Sequence, residues 1–112
     1  MIETYGYALI NSGKYKDALE IQKYEKYYSF SADFSFLLGL IYMNNGLIDL
    51  SIKYFSKATQ LGDGNIEGTN SYLAFYNLGV IYECLGLIEK AKEYYQKCNG
   101  YDLAVNRLKI IN

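Results

Sequence analysis

Tyr76–Lys97 reads YNLGVIYECLGLIEKAKEYYQK, and Phe36–Lys57 reads FLLGLIYMNNGLIDLSIKYFSK. Nine of the twenty-two aligned positions are identical, and the two passages start forty residues apart. Both keep one order. Leu38-Gly39 and Leu78-Gly79 are followed by Tyr42 and Tyr82, then Gly46 and Gly86, then a small residue, Ser51 or Ala91. Four residues beyond the small one comes an aromatic, Phe55 or Tyr95. A fainter third copy lies upstream: Tyr5-Gly6, Leu9, Gly13, Tyr15 and Ala18. Self-similarity at a period of a few tens of residues is the mark of a stack in which no single unit buries its own apolar face.

Each passage has the periodicity of two helices. Apolar residues recur at 34, 37, 38, 41 and 42, and again at 48, 52, 55 and 58, three and four apart as on one helix face. Gly46 and Gly86 end the first helix of each passage, where a left-handed residue closes the last turn. Gly6, Gly39 and Gly79 fall inside helices, where glycine costs about 1 kcal/mol against alanine. That cost predicts a close approach by the second helix, with Ala18, Ser51 or Ala91 facing the gap. The pattern predicts helices at about 2–12, 15–28, 32–45, 48–60, 71–85, 88–98 and 102–111.

The order L-G-x-x-Y, then G, then A-x-x-x-F resembles the tetratricopeptide repeat, a helix–turn–helix unit of 34 residues. The resemblance covers nearly the whole chain. Gly6 to Gly39 spans 33 residues and Gly39 to Gly79 spans 40, so the second interval carries six extra. It implies an all-α fold of three stacked tetratricopeptide helix–turn–helix pairs forming a right-handed α-solenoid. The repeats fall at about 1–30, 31–63 and 71–100, within a single domain of 1–112. A C-terminal capping helix at 101–112 is expected to cover the apolar face of the third pair, and the extra residues form an inserted loop at 61–71. Departures are visible. Gln22 stands where an aromatic is usual and Glu25 where alanine is usual, so the second helix of the first pair is expected to be shifted in register or partly exposed. The proline that usually follows each second helix is replaced by Phe30 and Asp63. The first helix begins two residues inside the motif, so the natural polypeptide is expected to extend before Met1.

Composition narrows the function. The 112 residues hold 11 basic and 12 acidic side chains, for a net charge of −1, with 14 tyrosines, two cysteines and no histidine, proline or tryptophan. Such a balance is no nucleic-acid footprint. Tyrosine pairs such as Tyr94-Tyr95 fall at helix-packing positions, and a base-stacking platform would come with a basic groove. Without histidine there is no Ser-His or Cys-His nucleophile pair. Cys84 and Cys98 match no metal or redox spacing; Cys98 is expected to be buried and inert, and Cys84 exposed. No phosphate loop or D-x-D pair is present, so no catalytic residue, metal or cofactor is expected. No apolar run approaches the ~20 residues that a bilayer span needs, and MIETYGYALINSGK lacks the basic start of a signal peptide. A cytoplasmic chain with reduced thiols follows as the expectation, with no nucleic-acid or membrane partner.

The resemblance implies where a partner would sit. In such stacks the first helices line a concave groove. The matching positions here are Tyr7 and Asn11; Asp33, Phe36, Leu40, Met43 and Asn44; and Tyr76, Asn77, Val80 and Glu83, with Glu3, Ile10 and Cys84 beside them. Aromatic, aliphatic and carboxamide groups together suit an extended peptide or a partner helix. Some family members hold a C-terminal carboxylate with Lys, Asn and Arg, but the corresponding positions here are Phe36, Leu37, Tyr76 and Asn77, of which only Asn77 would serve. The inserted loop contains Asp63, Asn65, Glu67 and Gly68, which mimic the opening of a calcium loop. Its twelfth position is Ala74 rather than the required glutamate, so a surface loop ending in an N-cap at Asn70 or Ser71 is expected instead. The stretch EGTNSYLAFYNLGVIYECLGLIEKAKEYYQKC also resembles the repeat regions that follow the catalytic domain in some bacterial GT-A-type glycosyltransferases. This implies an accessory, non-catalytic role beside a sugar transferase. The alternative is a self-assembly element that dimerises through its terminal helices.

Overall fold

The computed structural model describes residues 2–62 and 64–112; Met1 and Asp63, on which the readings of the chain start, the missing proline and the calcium-like loop drew, lie outside them. Among the described residues the fold is all helical, and the helices stack as a solenoid. In chain order they are α1 (Ile2–Asn11), α2 (Tyr15–Ala18), a 3-10 stretch (Leu19–Tyr24), α3 (Glu25–Tyr28), α4 (Ala32–Asn44), α5 (Ile48–Gln60), α6 (Tyr72–Cys84), α7 (Ile88–Gln96) and α8 (Asp102–Ile111).

The turn inside each pair is built the same way three times. Gly13, Gly46 and Gly86 have φ of 75°, 75° and 80°. The next amide then reaches back five residues at 2.9 Å each time, from Lys14 to the Leu9 carbonyl, Leu47 to Tyr42 and Leu87 to Tyr82. This six-to-one bond satisfies carbonyls that the helix end would leave orphaned. At the other end of α4, the Ser31 hydroxyl caps the helix by accepting from the Phe34 amide at 3.1 Å.

Two of the mid-helix glycines, Gly39 and Gly79, meet rings of the second helix, and the small residues expected opposite them pack beside the contact. A Cβ on Gly39 would lie 2.6 Å from the Phe55 ring, and one on Gly79 would lie 2.6 Å from the Tyr95 ring. Ser51 is buried behind this contact and donates its hydroxyl to the Gly39 carbonyl at 2.9 Å. Ala18 and Ala91 are buried in the corresponding places.

The first pair lacks its ring, and its second helix changes form as a result. Gln22 occupies the aromatic position and stays exposed, its carbonyl oxygen accepting from the Tyr42 hydroxyl at 3.0 Å. The inward side chain is Ile21, three residues after Ala18, and both are buried. A 3-10 helix has three residues per turn, so the Leu19–Tyr24 stretch sets Ile21 in line with Ala18, where an α-helix would offset residues three apart by about 60°. The register shift expected for this helix is therefore real, and its physical form is a break into α2, a 3-10 stretch and α3. Glu25 is half-buried and pairs with Lys57 at 3.1 Å.

Two apolar clusters hold the stack. One joins Leu9, Ala18 and Ile21 to Phe34, Leu37, Leu38 and Ile41. The other joins Phe36 and Phe55 to Leu78, Ile81, Tyr95 and Ala104. Helix α4 feeds both, and ten of its thirteen residues are buried. Helix α8 buries Ala104 and half-buries Leu108 and Ile111, the same spacing as Ala74, Leu78 and Ile81 in α6, so it sits as a further first helix and covers the third pair.

Gly39→Ala should lower stability by about 1–2 kcal/mol despite alanine's better helix propensity, because overpacking outweighs propensity. Urea unfolding checks this, and adding Phe55→Leu should recover part of the loss. The same ring change should not rescue Gly46→Ala, where no atom lies within 4 Å and only the positive φ is violated.

Candidate functional site

The first helices α1, α4 and α6 present the face on which the groove residues were expected. None of the three carries a lysine or arginine, and each has one carboxylate, Glu3, Asp33 or Glu83. The lysines from Lys14 to Lys97 all lie on the second helices or next to their ends. There they pack over rings, Lys57 on Tyr54 at 5.7 Å, Lys97 on Tyr94 at 4.8 Å and Lys90 on Tyr82 at 4.6 Å. Tyr42–Tyr54 and Tyr82–Tyr94 form equivalent ring pairs with centroids 5.5 and 5.4 Å apart. Tyr54 and Tyr94 are thus engaged in packing, whereas Tyr15, Tyr27 and Tyr28 of the first pair are exposed.

The expected groove residues divide by exposure. Asn11 is exposed, while Tyr7, Leu40, Met43, Asn44, Tyr76, Asn77, Val80 and Glu83 are half-buried. Asp33 and Phe36 are buried, at 6% and 5% exposure, and do not present a surface. Phe36 packs edge-on against Phe55, with centroids 5.3 Å apart. The Asp33 carboxylate accepts from the Asn65 amide at 2.8 Å, the Ile66 amide at 3.1 Å and the Thr69 hydroxyl at 2.7 Å. Both were expected on the open face because their positions match it; the core takes one and the inserted loop the other.

Others are partly committed. Asn44 and Asn77 each donate to the carbonyl four residues back, Leu40 and Leu73, at 2.8 Å. Tyr76 lies against Tyr95 and Tyr101, with centroids 5.8 and 5.6 Å away. Glu83 accepts from the Tyr95 hydroxyl at 2.8 Å and pairs with the Arg107 guanidinium through both oxygens. The Arg107 hydrogen bond holds the Glu83 carboxyl below the usual glutamate range. Burial, and then the bond to Glu83, push the Tyr95 hydroxyl above the ordinary tyrosine value. Burial raises Tyr7 to about 12, aided by the charges of Asp33 and Glu3.

An apolar cavity of about 170 Å³ opens between α4 and α6, lined by Met43, Ile48, Val80, Ile81, Cys84 and Leu85. Met43, Val80 and Cys84 were expected here. Ile48, Ile81 and Leu85 were not, because periodicity assigns the isoleucines to packing and Leu85 to the turn. Wider dents of about 370 and 240 Å³ lie over Gly13–Asp17 and Gly46–Leu50. Each is lined by five successive residues and is the mouth of a helix-starting turn.

The remaining chemistry is sparse. Cys84 is exposed and Cys98 buried, and both are free. Burial raises the Cys98 thiol to about 11, which leaves it protonated and inert. In the loop, Glu67 accepts from the Tyr72 hydroxyl at 2.9 Å. Asn70 donates its side-chain amide to the Leu61 and Gly62 carbonyls. Ser71 holds the N-cap position of α6 without a side-chain hydrogen bond, so neither residue caps α6 as expected. Among the described residues no three His, Cys, Asp or Glu side chains gather as a metal site. No helix among them is long and apolar enough to cross a membrane.

The Glu83–Arg107 pair fixes a pH dependence. A carboxyl whose folded pKa is depressed contributes stability above its unfolded pKa and loses it as pH falls through the folded value. Wild type should therefore lose this contribution on acidification below about pH 4.3, the ordinary glutamate value. Arg107→Met should lose less over the same window, as read from urea midpoints at stepped pH.

A family model of the tetratricopeptide repeat matches residues 32–61 and 72–104, together more than half of the chain. The first match begins at α4, after the pair whose second helix is broken. No curated protein matches the chain.

Proposed function

This chain belongs to the tetratricopeptide repeat family, and from that premise we propose that it is a non-catalytic module that binds a peptide or partner helix on the face of its first helices. Proteins and peptides are the partners this family generally takes. The observation that carries the reading is the apolar cavity of Met43, Ile48, Val80, Ile81, Cys84 and Leu85, set in a face without lysine or arginine. Around it, Leu40, Asn44, Asn77 and Tyr76 remain half-exposed, and Asn11 and Tyr7 extend the face towards α1. A charge-free cavity of this kind selects an apolar side chain, while the carboxamide oxygens of Asn44 and Asn77, on the same two helices, accept from the backbone of an extended chain. Nucleic acid is disfavoured as a partner, since phosphate binding draws on a basic surface. The reading places the module in the cytoplasm, where Cys84 and Cys98 stay reduced. It extends to an accessory role beside a GT-A-type glycosyltransferase, a role that rests on the likeness of the insert and third repeat.

A second reading, self-association through the terminal helices, draws support from Tyr5 on α1 and from Leu103 and Ile110 on α8. These are 57%, 48% and 67% exposed. Light scattering over a dilution series separates the two, because a mass that stays monomeric at tens of micromolar removes the second.

The groove reading is tested with dodecapeptides selected from a random library on the wild-type chain. Val80→Glu should weaken their binding at least about tenfold, near 1.4 kcal/mol, by placing a charge in the cavity. Leu103→Glu, on α8, should leave it unchanged. Equal binding by the Val80 variant would remove the cavity from the site.

A further inference from the structure

We propose that the inserted loop is a latched plug, held by Asp33 across the starting ends of α4 and α6, that closes this end of the groove against a partner. The proposal rests on the groove reading for its consequence, though not for its geometry.

The latch is specific. All three donors on the Asp33 carboxylate come from the loop, and they lie 32 to 36 residues away in sequence. Two are successive backbone amides, the arrangement by which a turn grips an anion. The third is the hydroxyl of Thr69, which is fully buried. Glycines make the fit possible. A Cβ on Gly64 would lie 2.8 Å from the Thr69 hydroxyl and 3.0 Å from the nearer Asp33 oxygen. Gly68 has φ of 86° and is buried, and a Cβ there would meet the Tyr72 ring at 2.7 Å and Leu73 at 2.9 Å. The loop therefore touches the first turn of α4 through Asp33 and the first turn of α6 through Tyr72 and Leu73.

A buried carboxylate with no donor is strongly unfavourable. With the loop latched, Asp33 has three donors. With the loop released, it becomes a solvated groove carboxylate. Neither state strands the charge, and no residue from 64 to 70 belongs to either apolar cluster. A partner that enters this end displaces the loop and supplies its own N–H donors to Asp33. While the loop is latched, the face stays open at Leu40, Met43 and Asn44 and at Tyr76, Asn77, Val80 and Glu83.

Hydrogen exchange on the full chain, with the dye ANS as probe of uncovered apolar surface, tests the plug. Asp33→Asn keeps the shape but turns donors towards the loop amides. Gly64→Ala keeps the carboxylate and pushes the loop away, and so serves if the first variant fails to fold. In each variant, exchange over 64–70 should rise about tenfold and ANS emission several-fold, as Tyr72 and Leu73 lose their cover. The amides of Phe55 and Leu78 should be unchanged. Unchanged loop exchange would overturn the latch. Faster loop exchange without added dye emission would show that the loop covers nothing, and acceleration at Phe55 and Leu78 would make it part of the core. Failure of the groove test at Val80 leaves all of these readouts standing.

Discussion

Two aromatic rings, Phe55 and Tyr95, lie directly on the backbone of Gly39 and Gly79, and the geometry of the stack depends on that contact. A ring seated where a side chain would otherwise stand brings the two helices of a pair close together. The approach buries Ser51 and Ala91 one turn earlier on the second helix, and it fixes how each pair offers its outer surface to the next. Packed interiors tolerate little change of volume, so a methyl group at either glycine is felt by both helices. The first pair is the natural control. With Gln22 in the ring's place, Gly6 is met instead by Leu37 of α4 and by Ile21, and the second helix is 3-10 over Leu19–Tyr24 with Ile21 buried.

Much of this was legible in the sequence because glycine is informative where it is costly. Gly46 and Gly86 mark turns, and Gly39 and Gly79 mark close approaches. The helix limits followed within a residue or two from the same landmarks. Two classes of feature were not legible. Helix α4 is buried on nearly every side, so periodicity could not separate Phe36, in the core, from Leu40, on the half-exposed face. The polar contacts that tie up Asp33 and Glu83 join residues far apart in sequence, Asp33 to Thr69 and Glu83 to Arg107. Nothing local announces such partners. The 3-10 stretch stood between these classes, since Gln22 and Glu25 signalled a fault in the repeat but not its form.

Charge is sorted by helix as well as shape. The second helices carry most of the lysines, many laid over tyrosine rings, and α1, α4 and α6 carry one carboxylate each and no lysine or arginine. Two carboxylates of the first helices are hydrogen-bonded from within, Asp33 by loop donors and Glu83 by Arg107 and Tyr95. What remains between α4 and α6 is an apolar recess with carboxamides nearby. On the proposed reading, a partner is recognised there by the fit of an apolar side chain, with little long-range electrostatic steering, and the inserted loop sets how much of the face it reaches.

The ring-on-glycine contact is tested most directly by proton NMR of the native chain. The α proton of Gly39 that points along the missing Cβ lies against the Phe55 ring, and that of Gly79 against the Tyr95 ring. Both should be strongly shifted upfield and should show cross-relaxation to those ring protons. Gly6, which meets Leu37 and Ile21 instead, should show neither ring shift nor ring contact. Ordinary glycine shifts at Gly39 and Gly79, without cross-peaks to the rings, would contradict the account of how the pairs close.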